Sequence, residues 1–221
     1  MNSPPDLNRI AGLYPWMEAV TFGPWLSWCR AGFLGEMGHC RRALVIGDAD
    51  GRFTARLLGA NPEVEIDAVD TSTAMLRALI RRAGRNAARV RAYCVDARLW
   101  QPANPPYDLV VTHFSLDLLT TDEVRALAEK LRGVVSPSAL WVVSEFEVST
   151  GLFGRLVAGP VVAGRYLGLQ WLADLAFTTL PDYRGALGEA GFALQRRRRW
   201  LGGLLSGELW RTAEARNLPP A

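Results

Sequence analysis

The feature that most constrains the fold is an apolar run that ends in a glycine turn. Residues 43–46 are followed by the turn Gly47–Gly51 (Gly-Asp-Ala-Asp-Gly) and then by a segment that favours a helix from about Arg52. A strand, a tight turn and a helix in this order let backbone N–H groups and the helix N-terminus approach a ligand closely. Asp70, at the end of the next apolar run, is placed to bind the two hydroxyls of a ribose. The pattern predicts a site for an adenosine-containing cofactor.

The middle of the chain alternates predicted strands and helices. Strands are predicted at 43–47, 64–69, 90–95, 108–112 and 140–146, with helices from 52, over 72–85 and over 120–131. This rhythm predicts an α/β, Rossmann-like fold with a doubly wound, mostly parallel sheet. Ligands of such sheets lie at the carboxyl ends of the strands. Gly47, Asp70, Asp96 and His113 all fall at these ends.

Composition limits the partners. A chain of 221 residues that is 49% hydrophobic can bury a full core, and we expect one domain over 1–221. The net charge of +3 is mild and does not indicate a nucleic-acid partner. The 3 cysteines lack metal-ligand spacing and there are 2 histidines, so no metal site is expected. The chain does not open with an export signal, which favours a cytoplasmic location.

Several motifs in order resemble those of the class I S-adenosylmethionine-dependent methyltransferases. The turn Gly47–Gly51 is similar to their glycine-rich first motif, and residues 70–76 (Asp-Thr-Ser-Thr-Ala-Met-Leu) match their second, Asp-x-Ser-x-x-Met-Leu. Asp96-Ala97 and residues 107–111 are similar to the third and fourth. The resemblance covers roughly 40–150 and resumes at 180–212, where a helix and two strands (192–200 and 208–211) are similar to the tail of the family. We expect the four arginines at 196–199 to protect a sheet edge.

The resemblance implies S-adenosylmethionine as cofactor and a seven-stranded sheet with an antiparallel C-terminal strand. In the family, the glycine loop holds the methionine part of the cofactor, the acid of the second motif binds the ribose, and the methionine of that motif lies against the adenine. The third motif reads the adenine amino group. Carried over to this sequence, the cofactor-binding residues are Gly47, Asp48, Ala49, Gly51, Asp70, Thr71, Met75, Asp96, Ala97 and Thr112.

Two positions depart from the pattern of the family. Val45 stands where an acid is usual, and Ala49 stands at the middle glycine. An alanine fits there if its φ is negative, and we expect Asp48 and Asp50 to supply the hydrogen bonds of the missing acid. NAD is the competing cofactor, but its fingerprint needs a third glycine soon after the second, which residues 52–54 do not supply.

Two flanking segments complete the predicted domain. Residues 5–38 are predicted to form a helical lid whose opening is similar to that of the ubiquinone/menaquinone C-methyltransferases, which implies that Tyr14 closes over the cofactor; packing of Tyr14 against the sheet is the alternative. Residues 151–179 are predicted to form an apolar helical insert, too interrupted for a membrane span. The insert is interpreted as a substrate-pocket lid, with a dimer contact and then peripheral membrane contact as alternatives. Its candidate lining residues are Tyr166, Leu169, Trp171 and Phe177.

The transfer site is predicted just beyond the fourth strand, at 112–117. Methyl transfer from a reactive sulfonium needs mainly alignment and exclusion of water, and a base only where the acceptor must lose a proton. His113 is the candidate base, and Asp117 would orient its imidazole if this segment turned helically. In the alternative, His113 bonds the backbone and Asp117 caps a turn.

The sequence therefore predicts methyl transfer to a small lipophilic acceptor. Two alternatives stay open: a non-methylating relative such as a cyclase or isomerase, and a dimeric interaction protein that has lost its cofactor.

Overall fold

The computed structural model describes residues 24–147 and 180–213. Their strands are β1 (Arg42–Ile46), β2 (Glu65–Asp70), β3 (Val90–Cys94), β4 (Tyr107–His113), β5 (Val135–Phe146), β6 (Phe192–Trp200) and β7 (Leu205–Thr212). They form one seven-stranded sheet in the order β3-β2-β1-β4-β5-β7-β6. The first five strands are parallel, and β7 is antiparallel to both of its neighbours. The predicted fold class is confirmed.

The α-helices of the described residues connect these strands. They are α1 (Trp25–Arg30), α2 (Arg52–Ala60), α3 (Thr73–Ala83), α4 (Thr121–Arg132) and α5 (Tyr183–Glu189). The boundaries lie within a few residues of the predicted ones, apart from β5 and β7, which begin earlier. Among these described helices, none is long and apolar enough to cross a bilayer.

Local side-chain chemistry explains where two of the helices begin. The Thr120 hydroxyl accepts from the Glu123 N–H, and the Glu123 carboxylate accepts from the Thr120 N–H, so α4 opens with a capping box. The Asp182 carboxylate accepts from the Gly185 N–H at 3.0 Å and caps α5. Pro181 therefore precedes the cap.

The sheet is covered on both faces, which explains why its central strands are almost continuously apolar. On one face, α2 and α3 pack Phe53, Leu57 and Leu79 against the sheet. On the other face, α4 and α5 pack against a core that includes Trp141. The central strands β1, β4 and β5 are therefore firmly packed, and the candidate site lies at their carboxyl ends.

The arginines of β6 do more than protect an edge. Arg197 and Arg199 pair with Glu208 and Glu147. On the opposite face, Arg196 pairs with Glu36, and Arg198 donates to the Gly32 carbonyl. The edge strand is thereby tied to the segment that follows α1, a role that only the tertiary structure reveals.

Candidate functional site

The parallel register brings the predicted site segments to one edge of the sheet. Ile46 lies beside Val69 on one side and Thr112 on the other, and Asp70 lies beside Cys94. The segments that follow these strands therefore meet at the carboxyl edge. They include the glycine loop (Gly47–Gly51) and the turns that carry Asp70, Asp96 and His113.

The glycine loop adopts left-handed backbone conformations at every second residue. The φ angles are +73° at Gly47, +49° at Ala49 and +80° at Gly51. The condition under which an alanine fits this position, a negative φ, is therefore not met. The backbone of Ala49 takes the conformation that favours glycine, at a cost on the order of 1 kcal/mol, because the loop is held from both ends.

Close packing at the two glycines holds the loop. A Cβ atom at Gly47 would lie 2.8 Å from the Cβ of Ser115, in the turn after β4. A Cβ atom at Gly51 would lie 2.5 Å from the Cα of Leu79 on α3. The loop therefore fits between two other elements only because these side chains are absent.

The two acids of the loop are engaged within the protein. Asp48 is buried, and its carboxylate oxygens accept from the N–H groups of Phe53 at 3.3 Å and Thr54 at 2.7 Å. Asp50 pairs with Arg52 and Arg82. The Asp48 carboxylate thus occupies the N-terminus of α2 and supports the loop, and the assignment of Asp48 to the cofactor site stays a prediction.

Asp70 sits at the end of β2 with its carboxylate partly buried. Its Oδ1 atom accepts from the Ser72 N–H at 2.8 Å. The pKa of Asp70 is raised to about 6, mainly by burial and in part by the negative charge of Asp48, although hydrogen bonds from Ser72 and Thr71 lower it. Burial likewise raises the pKa of Asp48 to about 6. The neighbouring carboxylates of Asp48 and Asp70 make this part of the sheet edge favourable for a cation or for hydroxyl donors.

The two residues predicted to contact the adenine, Asp96 and Ala97, are each bonded by a basic side chain. Asp96 accepts from the Arg98 guanidinium at 2.9 Å and 2.6 Å, and the Ala97 carbonyl accepts from Lys130 at 2.8 Å. Burial raises the pKa of Asp96, but the hydrogen bonds and charge of Arg98 outweigh it and leave this pKa below its usual value. A ligand amino group at Asp96 would therefore share the carboxylate with Arg98.

The remaining cofactor candidates are placed as follows. The Thr71 carbonyl accepts a hydrogen bond from the Cys94 thiol at 3.6 Å. Met75 lies in the first turn of α3 and is fully buried. The Thr112 hydroxyl accepts from the Trp141 indole N–H at 3.0 Å and is fully buried. The side chain of Thr112 therefore belongs to the core, and its assignment to the cofactor site stays a prediction.

His113 ends β4 and is buried against α2. Its ring lies edge-on to Phe53, with the two ring centroids 4.5 Å apart. Neither ring nitrogen has a hydrogen-bond partner among residues 24–147 and 180–213. Burial, and secondarily the positive charge of Arg30, lowers the pKa of His113 well below its usual value. The imidazole is therefore neutral.

The predicted hydrogen bond between His113 and Asp117 is absent. Asp117 is buried in the short 3-10 helix Leu116–Leu118, but neither nitrogen of the imidazole bonds it. The chain after His113 reverses at Phe114, whose φ is +53°, instead of continuing helically. That reversal removes the helical spacing that would have brought Asp117 next to the imidazole. The alternative, a hydrogen bond from the His113 ring to the backbone, is not formed within the described residues either.

Two site residues were missed by the sequence reasoning. Glu145 near the end of β5 accepts from two backbone N–H groups of the turn after β4, and Arg30 of α1 is buried beside Phe114. The signal for Glu145 was available, because an acid that interrupts the apolar run 140–146 needs a partner in the core. No sequence signal marked Arg30, since a six-residue helix carries too little periodicity.

A comparison with known protein families finds a match to this part of the chain. Residues 43–138 match the family described as "Methyltransferase domain". The matched residues begin in β1 and end in β5, so they contain the glycine loop, Asp70, Asp96 and His113. This part of the chain is therefore similar to a methyltransferase domain.

Solved methyltransferase structures share the fold of this domain. An O-methyltransferase family protein from Burkholderia thailandensis is 16% identical, with a TM-score of 0.69 over 94% of this chain and 60% of that one. The mitomycin 7-O-methyltransferase MmcR is 15% identical, with a TM-score of 0.67 over 94% and 61%. The N-methyltransferase NodS from Bradyrhizobium japonicum, solved with S-adenosyl-L-homocysteine, is 15% identical, with a TM-score of 0.61 over 85% and 84%.

These likenesses establish the fold and leave the activity to be argued. This chain spans about three fifths of the length of the two O-methyltransferase structures. No curated protein sequence matches it.

Several predicted site residues lie outside the described residues. They are Tyr14 of the predicted lid and Tyr166, Leu169, Trp171 and Phe177 of the predicted insert. Most of the N-terminal segment that is similar to the ubiquinone/menaquinone C-methyltransferases also lies outside them. These assignments stay predictions.

Proposed function

We propose that this protein transfers the methyl group of S-adenosylmethionine to a small, lipophilic acceptor. The observation that carries the proposal is the meeting of the glycine loop with Asp70 at the carboxyl edge of β1 and β2, within residues that are similar to a methyltransferase domain. An open α/β sheet binds its ligand at this edge.

The residues present fit the cofactor. The glycine loop brings its backbone close to the turn after β4, where a Cβ at Gly47 would clash with Ser115, and the carboxylates of Asp48 and Asp70 give this edge of the sheet a negative charge. In the proposal, Asp70 binds the ribose hydroxyls, while Met75, Asp96 and Ala97 flank the adenine. When bound, the cofactor supplies a methyl group on a positively charged sulfur, which this negatively charged edge favours.

His113 is the proposed proton acceptor. Its imidazole is neutral, so one ring nitrogen has a lone pair for a proton of the acceptor. Because its pKa lies well below the usual value, His113 is a weak base. It suits an acceptor that is itself acidic, such as a phenol, better than an aliphatic alcohol.

The lipophilic acceptor is proposed from the composition of residues 151–179. This segment is rich in leucine, valine and aromatic residues and carries the candidate lining residues Tyr166, Leu169, Trp171 and Phe177. A pocket lid and a contact between two copies of the chain both use such a surface. Light scattering of the purified protein separates them, because a contact surface of this kind gives a dimer.

The test of the proposal is calorimetric titration with S-adenosylmethionine and S-adenosylhomocysteine. We expect micromolar binding that Asp70→Ala abolishes. Glu65→Ala is the matched control, because that carboxylate is half exposed at the start of β2, the end of the strand opposite to Asp70. Absence of binding to the unmodified protein would overturn the proposal. With binding established, uptake of labelled methyl by phenols, quinones and amines identifies the acceptor.

A further inference from the structure

The turn after β4 holds an unfavourable backbone conformation at a defined place. Phe114 has a φ of +53°, which an aromatic residue rarely adopts, and its N–H donates to the Ser144 carbonyl at 2.7 Å. Such strained residues persist only where surrounding contacts hold them, and they cluster at functional sites. The turn is therefore held by something outside itself.

Glu145 holds the turn. One carboxylate oxygen, Oε1, accepts from the Ser115 N–H at 3.1 Å and from the Leu116 N–H at 2.8 Å. The Glu145 side chain is buried on β5, where a carboxylate is costly unless it is bound by donors. Hydrogen bonds to a charged acceptor are the stronger kind. The buried acid thus fixes the backbone of Ser115.

Ser115 in turn meets the glycine loop. Its Cβ lies 2.8 Å and its Oγ 3.2 Å from the place that a Cβ of Gly47 would take. The Ser115 hydroxyl is shielded from solvent and has no hydrogen-bond partner in the described part of the chain. Buried polar groups are normally paired, so a hydroxyl left unpaired beside a ligand loop indicates a partner supplied by the ligand.

We propose that the Ser115 hydroxyl binds S-adenosylmethionine beside Gly47, and that Glu145 is the positioning residue that holds it there. This inference rests on the proposed function, because it assigns a ligand contact to the same site. Glu145 does not touch the cofactor. It acts through the two N–H groups of the turn.

The two roles predict different behaviour of substitutions. Ser115→Ala removes a hydroxyl that is unpaired in the free protein, so it leaves the stability of the free protein unchanged or slightly higher while weakening the ligand. Glu145→Ala removes the acceptor of both N–H groups, so it weakens the ligand and also lowers the melting temperature. Glu145→Gln retains an amide oxygen for the two N–H groups, so it restores part of the affinity that Glu145→Ala loses.

The experiment is calorimetric titration of each variant with S-adenosylhomocysteine, together with its melting temperature without ligand. We expect Ser115→Ala to weaken binding about tenfold, which corresponds to one lost hydrogen bond. Ser136→Ala is the matched control, since that hydroxyl is also buried without a partner among the described residues but lies at the opposite end of β5. It should bind as the unmodified protein does.

The outcomes are distinguishable. Failure of the unmodified protein to bind S-adenosylhomocysteine overturns the proposed function and this inference with it. If the unmodified protein binds but Ser115→Ala binds equally well, the ligand contact is overturned while the proposed function stands. If Ser115→Ala weakens binding but folded Glu145→Ala does not, the positioning role is overturned. Equal losses in Glu145→Gln and Glu145→Ala also contradict positioning through the two N–H groups.

Discussion

At the residue scale, Gly51 shows how one absent side chain joins the glycine loop to helix packing. Its φ is +80°, and a Cβ there would meet the backbone of Leu79 at 2.5 Å. We predict that Gly51→Ala lowers the free energy of unfolding by about 3 kcal/mol, from backbone strain and overpacking together.

Gly59→Ala is the matched control for that substitution, because Gly59 lies in the same helix with nothing within 4 Å of its Cβ position. It should stabilise the protein by about 0.5–1 kcal/mol. Urea denaturation of both variants measures these changes. Equal effects of the two substitutions would show that Gly51 is not held by its contacts.

The raised pKa of Asp70 predicts a pH dependence of ligand binding. The pKa is about 6 in the free protein, and only the ionised carboxylate accepts from both ribose hydroxyls. Affinity for S-adenosylhomocysteine should therefore fall by about tenfold from pH 7 to pH 5. Calorimetry across this range checks the prediction. Asp70→Asn should bind weakly at all pH values with a flatter profile, and an equally steep profile in that variant would assign the titration to another group.

The same shifts predict how stability depends on pH. Asp48 and Asp70 have pKa values of about 6 in the folded protein, above the ordinary value of 3.8, so between these values the folded state binds more protons than the unfolded state. The stabilising contribution of protonation is complete below about pH 4 and is lost as pH rises through 6. We expect denaturation free energies to fall over this range by a few kcal/mol at most. Asp48→Asn should reduce the slope, and an unchanged slope would contradict the assignment.

At the element scale, β7 and α5 are joined by a buried acid. Glu208 is fully buried, and its carboxylate accepts from Arg184 at 2.7 Å and from the Trp210 indole at 3.0 Å, and it also pairs with Arg197. Glu208→Gln would remove the charge partner of Arg197 and, among the described residues, leave Arg184 with Glu147 alone. We predict a loss of about 2–4 kcal/mol in the free energy of unfolding.

Glu65→Gln is the control for Glu208, because Glu65 pairs with Arg91 at the surface, where both side chains are about half exposed. Its loss should be close to zero. Chemical denaturation measures both variants. A Glu208→Gln protein as stable as the control would show that the buried network contributes nothing to stability.

Elements also show where sequence reasoning succeeds. Apolar runs and the capping box at Thr120 are local signals, so β4 and α4 were predicted to within about a residue at most ends. The partners of Arg196 and Arg198 are about 160 residues away along the chain. No local pattern contains such a pairing, so the arginines were interpreted only as edge protection.

At the scale of the whole molecule, the order of the strands predicts a gradient of backbone protection. Strands β1, β4 and β5 are central and buried on both faces, whereas β3 and β6 are edge strands with mostly exposed or half-buried side chains. We expect amide hydrogen exchange to be slowest in peptides of β4 and β5 and fastest among the strands in β3 and β6. Mass spectrometry at neutral pH measures this order. Equal protection of β3 and β4 would contradict it.

The sequence by itself determined the order of strands and helices along the chain, and it predicted the cofactor class and the edge of the sheet at which the candidate site lies. These follow from periodicity and short motifs, in which the interacting residues are neighbours in the chain. Only the tertiary structure decided the left-handed backbone of Ala49, the inward direction of Asp48, the separation of His113 from Asp117 and the part played by Glu145. Each of these depends on groups from different strands and helices that meet at one sheet edge, so the packing sets the final geometry of the site.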